Sequence, residues 1–421
     1  MFSPSKSHSQ AKSLAEWLSY LETIHSTEID LGLARIQSVA TTLGIDLSFA
    51  QVITVAGTNG KGTTCAFLEN ALLNENKSVA VYSSPHIERF NERLRLNKQD
   101  VDDSSLVSAF EIIEEKRGTT SLTYYEYTTL AAFIVLMQTR PDFIILEVGL
   151  GGRLDATNII NANISVITTV DLDHQAFLGN DRESIGYEKA GIMRGHGITV
   201  VGDLMTPKSV LNYGEKLSCT MYVRERDFLL SKNDGITPWQ WHFNSYHLAN
   251  LHQPNIPIDN VATALTVLAL LDVTLDEEKV NGLIDMTKVS GRTELFHRNC
   301  DVMLDVGHNP QAARYLAEVV ARKGYKKVYA VVGMLADKDI ENTLKPLGEI
   351  VSHWYLASLQ VPRAADANLV SEKIAAVSSH FNCFDNVTQA FTMATKNAEA
   401  TDLVLVFGSF YTVAEVRRLL V

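Results

Sequence analysis

Between an apolar run at Gln51–Ala56 and a helical stretch expected to open at Cys65, the chain reads Gly57-Thr58-Asn59-Gly60-Lys61-Gly62-Thr63-Thr64. Glycines let successive backbone N–H groups point into a concavity, and the N-terminus of a following helix adds partial positive charge. Together they suit a phosphate. Lys61 is placed to bridge β- and γ-phosphates, and the hydroxyl of Thr63 or Thr64 to sit near a magnesium ion. The pattern departs from the usual phosphate loop at two points: Val55 stands where the first glycine belongs, and Gly62 separates the lysine from the threonines. An ordinary glycine-rich turn is the competing reading, and a lysine flanked by glycines after a clear strand outweighs it.

Three further apolar runs end on groups with chemical use. Ser84 follows VAVY, Glu147 closes FIILE, and Asp173 with His174 follow ISVITT. A carboxylate closing a buried strand is costly unless a cation faces it. Singly, Glu147 fits a sheet-end salt bridge, His174 a loop histidine and Ser84 a turn residue before Pro85. At equivalent ends of neighbouring strands, beside a phosphate loop, they read instead as one metal–phosphate site. An imidazole among oxygen donors suits magnesium or manganese only moderately.

The elements that must position these groups follow from periodicity. Leu14, Trp17, Leu18, Leu21 and Ile24 recur at helical spacing, as do Leu33, Ile36, Val39 and Leu43 before Gly44. Short buried-strand runs then alternate with helices: Val52–Ala56, Val79–Tyr82, Phe143–Glu147, Ile164–Thr169 and Ile198–Val201. That alternation predicts a parallel sheet covered on both faces. Tyr222–His247 reads as antiparallel ribbon and Asn260–Leu271 as a helix. After Gly291-Arg292-Thr293 the alternation restarts, with strands expected at Val302–Asp305, Lys327–Gly333, Trp354–Ala357 and Leu403–Phe407. The fold class is therefore α/β: a parallel-sheet ATPase domain with a phosphate loop over 1–293, followed by a smaller Rossmann-like α/β domain over 294–421.

Composition excludes other classes. The chain has 421 residues, 46% hydrophobic and 20% charged, ample to fill cores. Its 37 Lys and Arg against 49 Asp and Glu leave a net charge of -12, which repels nucleic acid and anionic lipid without a local basic patch. The four cysteines (Cys65, Cys219, Cys300, Cys383) lack paired spacing, which argues against a zinc cage or disulfide framework and fits a reducing cytosol. The serine-rich start has no apolar core of a secretory signal, and the longest apolar stretch, Leu130–Met137, is too short to span a bilayer. A cytoplasmic protein without nucleic-acid or membrane partners is expected.

The segments GTNGKGTT, YSSPH, LTYYEYTTL, EVGLGGRLDATN, LDH, ESIGYEKAGI, SGR and LDVGHNP, in this order, resemble the bifunctional folylpolyglutamate synthases/dihydrofolate synthases of the Mur ligase superfamily. The resemblance covers nearly the whole chain and rests most on EVGLGGRLDATN and LDVGHNP. It implies an ADP-forming carbon–nitrogen ligase joining L-glutamate to dihydropteroate and further glutamates to tetrahydrofolate derivatives, through an acyl phosphate. It implies ATP and two magnesium sites as cofactors, and a monomer.

By the same resemblance, Thr58, Asn59, Gly60, Lys61, Gly62 and Thr63 would bind ATP phosphates, with Asn260, Arg292, Asp305 and His308 holding the nucleotide from the far side. Ser84, Glu147 and His174 match magnesium ligands. Lys189 matches a lysine that carries a carbamate, turning a cation into an anion suited to a second magnesium; by composition alone it would be a solvated helix lysine. Lys61, Lys189 and His174 are the residues implied in catalysis. Ile29, Asp30, Leu31 and Gly32, Thr123, Tyr124, Tyr125 and Glu126, and Leu154, Asp155 and Ala156 match segments lining the pterin pocket. There a tyrosine could stack on the ring and an acid accept its N–H groups. Two alternatives stand beside this reading. One is a Mur-type ligase adding an amino acid to a cell-wall precursor, which would carry a separate N-terminal domain for its large substrate. The other is an ATP-driven regulatory module, which would release ADP without glutamate.

Overall fold

The computed structural model describes residues 12–27, 29–233 and 236–421. Most of the serine-rich start, read above for a secretory signal, lies outside them. Eight strands form the first sheet: β1 (Gln51–Ala56), β2 (Val79–Tyr82), β3 (Leu94–Leu96), β4 (Gln99–Asp100), β5 (Phe143–Glu147), β6 (Ile164–Ile167), β7 (Ile198–Val201) and β8 (Thr220–Val223), in the order β4-β3-β2-β5-β1-β6-β7-β8. The apolar runs sit at its centre because strands covered on both faces can expose almost no polar side chain. β1 pairs parallel with β5 and β6, and its register sets Val55 beside Glu147. The pairing brings that carboxylate to the end of the sheet where the phosphate loop begins.

Each face of this sheet has its own core. On one side pack α3 (Lys61–Asn74) and α9 (Ile258–Leu270), together with an antiparallel sheet of β9 (Phe228–Asn233), β10 (Ile236–Phe243) and β11 (Tyr246–Leu251). On the other pack α1 (Leu14–Leu21), α2 (Ala34–Leu43), α4 (Asp103–Lys116) and α5 (Tyr124–Thr139), around Trp17, Phe110, Tyr127 and Phe133. α5 starts on a reciprocal cap: Thr123 Oγ1 accepts from the Glu126 N–H, and Glu126 Oε2 from the Thr123 N–H. Short α6 (Gln175–Leu178) and α7 (Arg182–Ala190) follow β6.

The second sheet of the parallel kind begins at β12 (Glu294–His297). It continues through β13 (Asp301–Asp305), β14 (Val328–Val332), β15 (His353–Ala357), β16 (Phe381–Phe384) and β17 (Leu403–Phe407), in the order β12-β13-β17-β14-β15-β16. Only β12 is antiparallel to its neighbour. The architecture is α/β with parallel sheets in two lobes.

The sequence reading needs correction at several points. The helix after the phosphate loop opens at Lys61, not Cys65, because Gly60 takes a left-handed conformation (φ 86°) and ends the loop there. A side chain on Gly60 would also overlap the Asn260 carboxamide. Tyr222 belongs to β8, parallel to β7, so the antiparallel ribbon starts only at Phe228. α1 ends at Leu21, and Ile24 packs on the core from the following turn. β12 and β16 escaped periodicity because edge strands are partly exposed and carry no continuous apolar run.

Candidate active site

The carboxyl ends of β1, β5 and β6 open into a cavity of about 690 Å³, closed on the far side by the loop after β13 and by α11 (Pro310–Lys323). Both lobes line it. The loop Gly57–Gly60 is stitched to the end of β6. Thr58 N–H donates to Thr169 O (2.8 Å), Asn59 N–H to Thr169 Oγ1 (3.0 Å), and the Thr168 hydroxyl to Asn59 O (2.6 Å). Lys61 Nζ curls back onto Gly57 O (2.9 Å) and Thr58 O (3.4 Å). Its burial pushes its pKa down, while the charges of Glu147 and Asp173 pull it up.

Thr64 is fully buried, with a hydroxyl that meets no partner, so of the two threonines only Thr63 lines the cavity. Its Oγ1 donates to Gly60 O (3.0 Å) and accepts from Asn260 Nδ2 (2.8 Å). The Asn59 side chain faces the second lobe, exchanging bonds with Asn309 (3.0 and 3.1 Å) and donating to Gln311 Oε1 (2.5 Å). Sequence reasoning missed Asn309 and Gln311. The HNP motif placed the loop but carried no sign that its asparagine reaches the phosphate loop.

Glu147 is 6% exposed and accepts no hydrogen bond or ion pair from any described residue. Burial raises its pKa, opposed first by Lys61 and then by Arg292. Ser84 and His174 line the same cavity. The His174 pKa is lowered to about 4, chiefly by burial, so its ring is neutral near pH 7 and has a lone pair for a metal. Lys189 is 3% exposed and has no carboxylate within ion-pair distance among the described residues. Burial, then the Lys61 charge, lowers its pKa to about 7. Among the described residues no three His, Cys, Asp or Glu are grouped to hold a metal. The expected ligand set contains only two such residues, and it fits a cation because the buried Glu147 carboxylate otherwise lacks a donor.

From the far side, the Arg292 guanidinium lies over the Phe410 ring (5.1 Å), its pKa lowered by burial and raised by Asp305 and Glu147. Asp305 accepts from the N–H groups of Thr293 (2.8 Å) and Gly307 (2.7 Å), and burial raises its pKa. His308 Nδ1 meets Val306 O (2.9 Å), with Nε2 3.5 Å from Asp173 Oδ2.

The three pterin segments meet one another beside this cavity, without lining it. Arg35 joins Asp30 (2.5 Å) to Glu126 (2.8 Å), and the Tyr125 hydroxyl reaches Asp155 Oδ1 (3.4 Å). Tyr124 faces Phe90 edge-on (6.3 Å), under the Arg93 guanidinium (5.6 Å). Asp155 is 2% exposed and already accepts from Gly149 N–H (3.0 Å), Leu150 N–H (2.9 Å) and Thr157 N–H (3.0 Å), so it holds the GLGGRL loop in shape. Glu126 uses one oxygen in the α5 cap, and the other is buried without a partner.

Two family descriptions match the chain: Mur ligase middle domain over residues 55–222, and Mur ligase, glutamate ligase domain, over residues 291–410. The chain is 44% identical over 411 residues to the dihydrofolate synthase/folylpolyglutamate synthase of Escherichia coli K12, covering 96% of this chain and 95% of that protein. Among solved structures, E. coli FolC in complex with DHPP and ADP is similar with a TM-score of 0.92 and 43% identity, covering 97% and 98% of the two chains. A bifunctional folylpolyglutamate synthase/dihydrofolate synthase with Mn, AMPPNP and L-glutamate bound is similar with a TM-score of 0.89 and 44% identity, again covering 97% and 98%.

Proposed function

The chain belongs to the dihydrofolate synthase/folylpolyglutamate synthase family of Mur ligases, and from that premise we propose how its cavity works. It is an ATP-dependent, ADP-forming ligase that joins L-glutamate to dihydropteroate and further glutamates to reduced folates. The γ-phosphoryl group passes to the acceptor carboxylate, giving an acyl phosphate and ADP. The glutamate amine then attacks the acyl carbon, phosphate leaves, and the amine gives up a proton. No protein nucleophile takes part; positioning and cationic groups do the work.

Lys61 and Arg292 face the transferring oxygens, with the amides of Thr58–Thr63 around the phosphates. Asn260, Asp305 and His308 hold the nucleotide from the far side. Ser84, Glu147 and His174 would hold one magnesium ion, and Lys189, carboxylated at its amine, a second; such ions, when bound, offset phosphoryl charge. Ile29–Gly32, Thr123–Glu126 and Leu154–Ala156 form the wall against which the pterin rests. Residues 1–293 and 294–421 act as the two jaws, and the reading carries a cytoplasmic monomer with tetrahydrofolate derivatives as second acceptors.

The observation that carries this reading is the donorless, buried Glu147 carboxylate in a cavity shared by both lobes. ADP release measured with dihydropteroate, then tetrahydrofolate, each with and without L-glutamate, tests it. Release is expected only when acceptor and glutamate are both present. Turnover without glutamate would favour a regulatory ATPase, and activity with tetrahydrofolate alone would remove the synthase half.

A further inference from the structure

One carboxylate in the cleft is used twice. Asp173 Oδ1 accepts from Lys338 Nζ (2.7 Å), which comes from the loop after β14 in the second lobe, and from the backbone N–H of His174 (2.8 Å). Asp173 Oδ2 accepts from Asn309 Nδ2 (3.2 Å) and lies 3.5 Å from His308 Nε2, also from the second lobe. The Lys338 and Asp173 side chains are 7% and 9% exposed, so the pair is sheltered from solvent although it spans the cleft. His174 meanwhile has a left-handed backbone (φ 50°), uncommon for a non-glycine residue.

We infer that Lys338 is a positioning residue: when the second lobe docks, it fixes the Asp173 carboxylate whose oxygen holds the His174 backbone, and so aims the His174 ring into the cavity. A buried ion pair contributes little net stability but specifies one arrangement, which suits a contact that must be remade at each closure. His174 is thereby oriented only in the closed form, which couples lobe closure to completion of the site. The inference deepens the ligase reading and rests on it for its kinetic arm.

The test uses full-length wild type, Lys338→Met, Lys338→Arg, Asp173→Asn and the double variant K338M/D173N. Two readouts are taken: glutamate-dependent ADP release, and the imidazole NMR signals of His174 in histidine-labelled protein, assigned with His174→Gln. For Lys338→Met, kcat is expected to fall about 10-fold or more while KM for glutamate and ATP stays within about 2-fold, the size usual for loss of a group that orients a ligand residue. The His174 signal should shift, Lys338→Arg should recover part of both losses, and the double variant should be no worse than the poorer single one. A raised KM for glutamate with kcat intact would overturn the inference, since Lys338 would then contact substrate. A lowered melting temperature with kcat and the His174 signal unchanged would overturn it too, leaving only packing. If wild type releases no ADP with either acceptor, the ligase reading fails, while the NMR arm still decides whether Lys338 aims His174.

Discussion

At the scale of single residues, Lys189 shows how burial changes what a side chain can do. An amine that is 3% exposed, without a carboxylate in ion-pair range among the described residues, pays for desolvation in its charged form. Under the proposed function, the neutral amine would add to dissolved CO2 with release of a proton, and the resulting carbamate would supply an anion able to help Glu147 hold a magnesium ion. Activity is therefore expected to fall on CO2 depletion and to return with bicarbonate. Lys189→Met should lose about 100-fold in kcat and lose the bicarbonate response. Since that change replaces a buried amine without an ion-pair partner by an apolar side chain of similar length, the variant should unfold no earlier than wild type. A bicarbonate response that survives in Lys189→Met would place the effect elsewhere.

At the scale of elements, helix starts do much of the positioning. α3 begins with Lys61 because Gly60 ends the loop, and α5 presents Tyr124 and Tyr125 because Thr123 and Glu126 cap each other. α4, which packs against α5, is capped by Asp102, whose carboxylate accepts from the Ser105 N–H (2.8 Å). The Asp102 pKa is lowered to about 2, first by the Ser104 hydroxyl and then by the Ser105 N–H. A carboxyl depressed in the folded state contributes stability that is complete above its ordinary value near 3.8 and is lost as pH falls through about 2. Asp102→Ala should therefore cost the first lobe about 1 kcal/mol at pH 7. In denaturant titrations the gap to wild type should narrow as pH approaches 2; a pH-independent gap would assign the loss to something other than the charged cap.

At the scale of the whole molecule, the two lobes meet on both sides of the cavity. On one side stand Asp173 with Lys338, His308 and Asn309, and Asn59 with Asn309 and Gln311. On the other, Arg417 of the C-terminal helix pairs with Glu294 (3.1 Å) and with Glu88 of the first lobe. A nucleotide bound between such surfaces stabilises both lobes at once. A non-hydrolysable ATP analogue with magnesium, at about 100 times its Kd, should raise unfolding free energy by about 2.7 kcal/mol and move the transitions of both lobes together. A shift confined to one transition would place the nucleotide on that lobe alone.

Much of the site was legible in the sequence because its signals are local. A glycine run between strand and helix, and an acid, a serine or an imidazole ending an apolar run, are short-range patterns that backbone geometry and burial impose directly. They point to Lys61, Ser84, Glu147 and His174, which line one cavity. Only the tertiary structure decided which hydroxyl of Thr63 and Thr64 faces the cavity, that Asp155 accepts from the N–H groups of its own loop, and that Lys338 reaches Asp173. Those outcomes depend on helix phase, on competition among nearby donors, and on contacts between residues 165 apart in the chain, which leave no periodic trace in a single sequence.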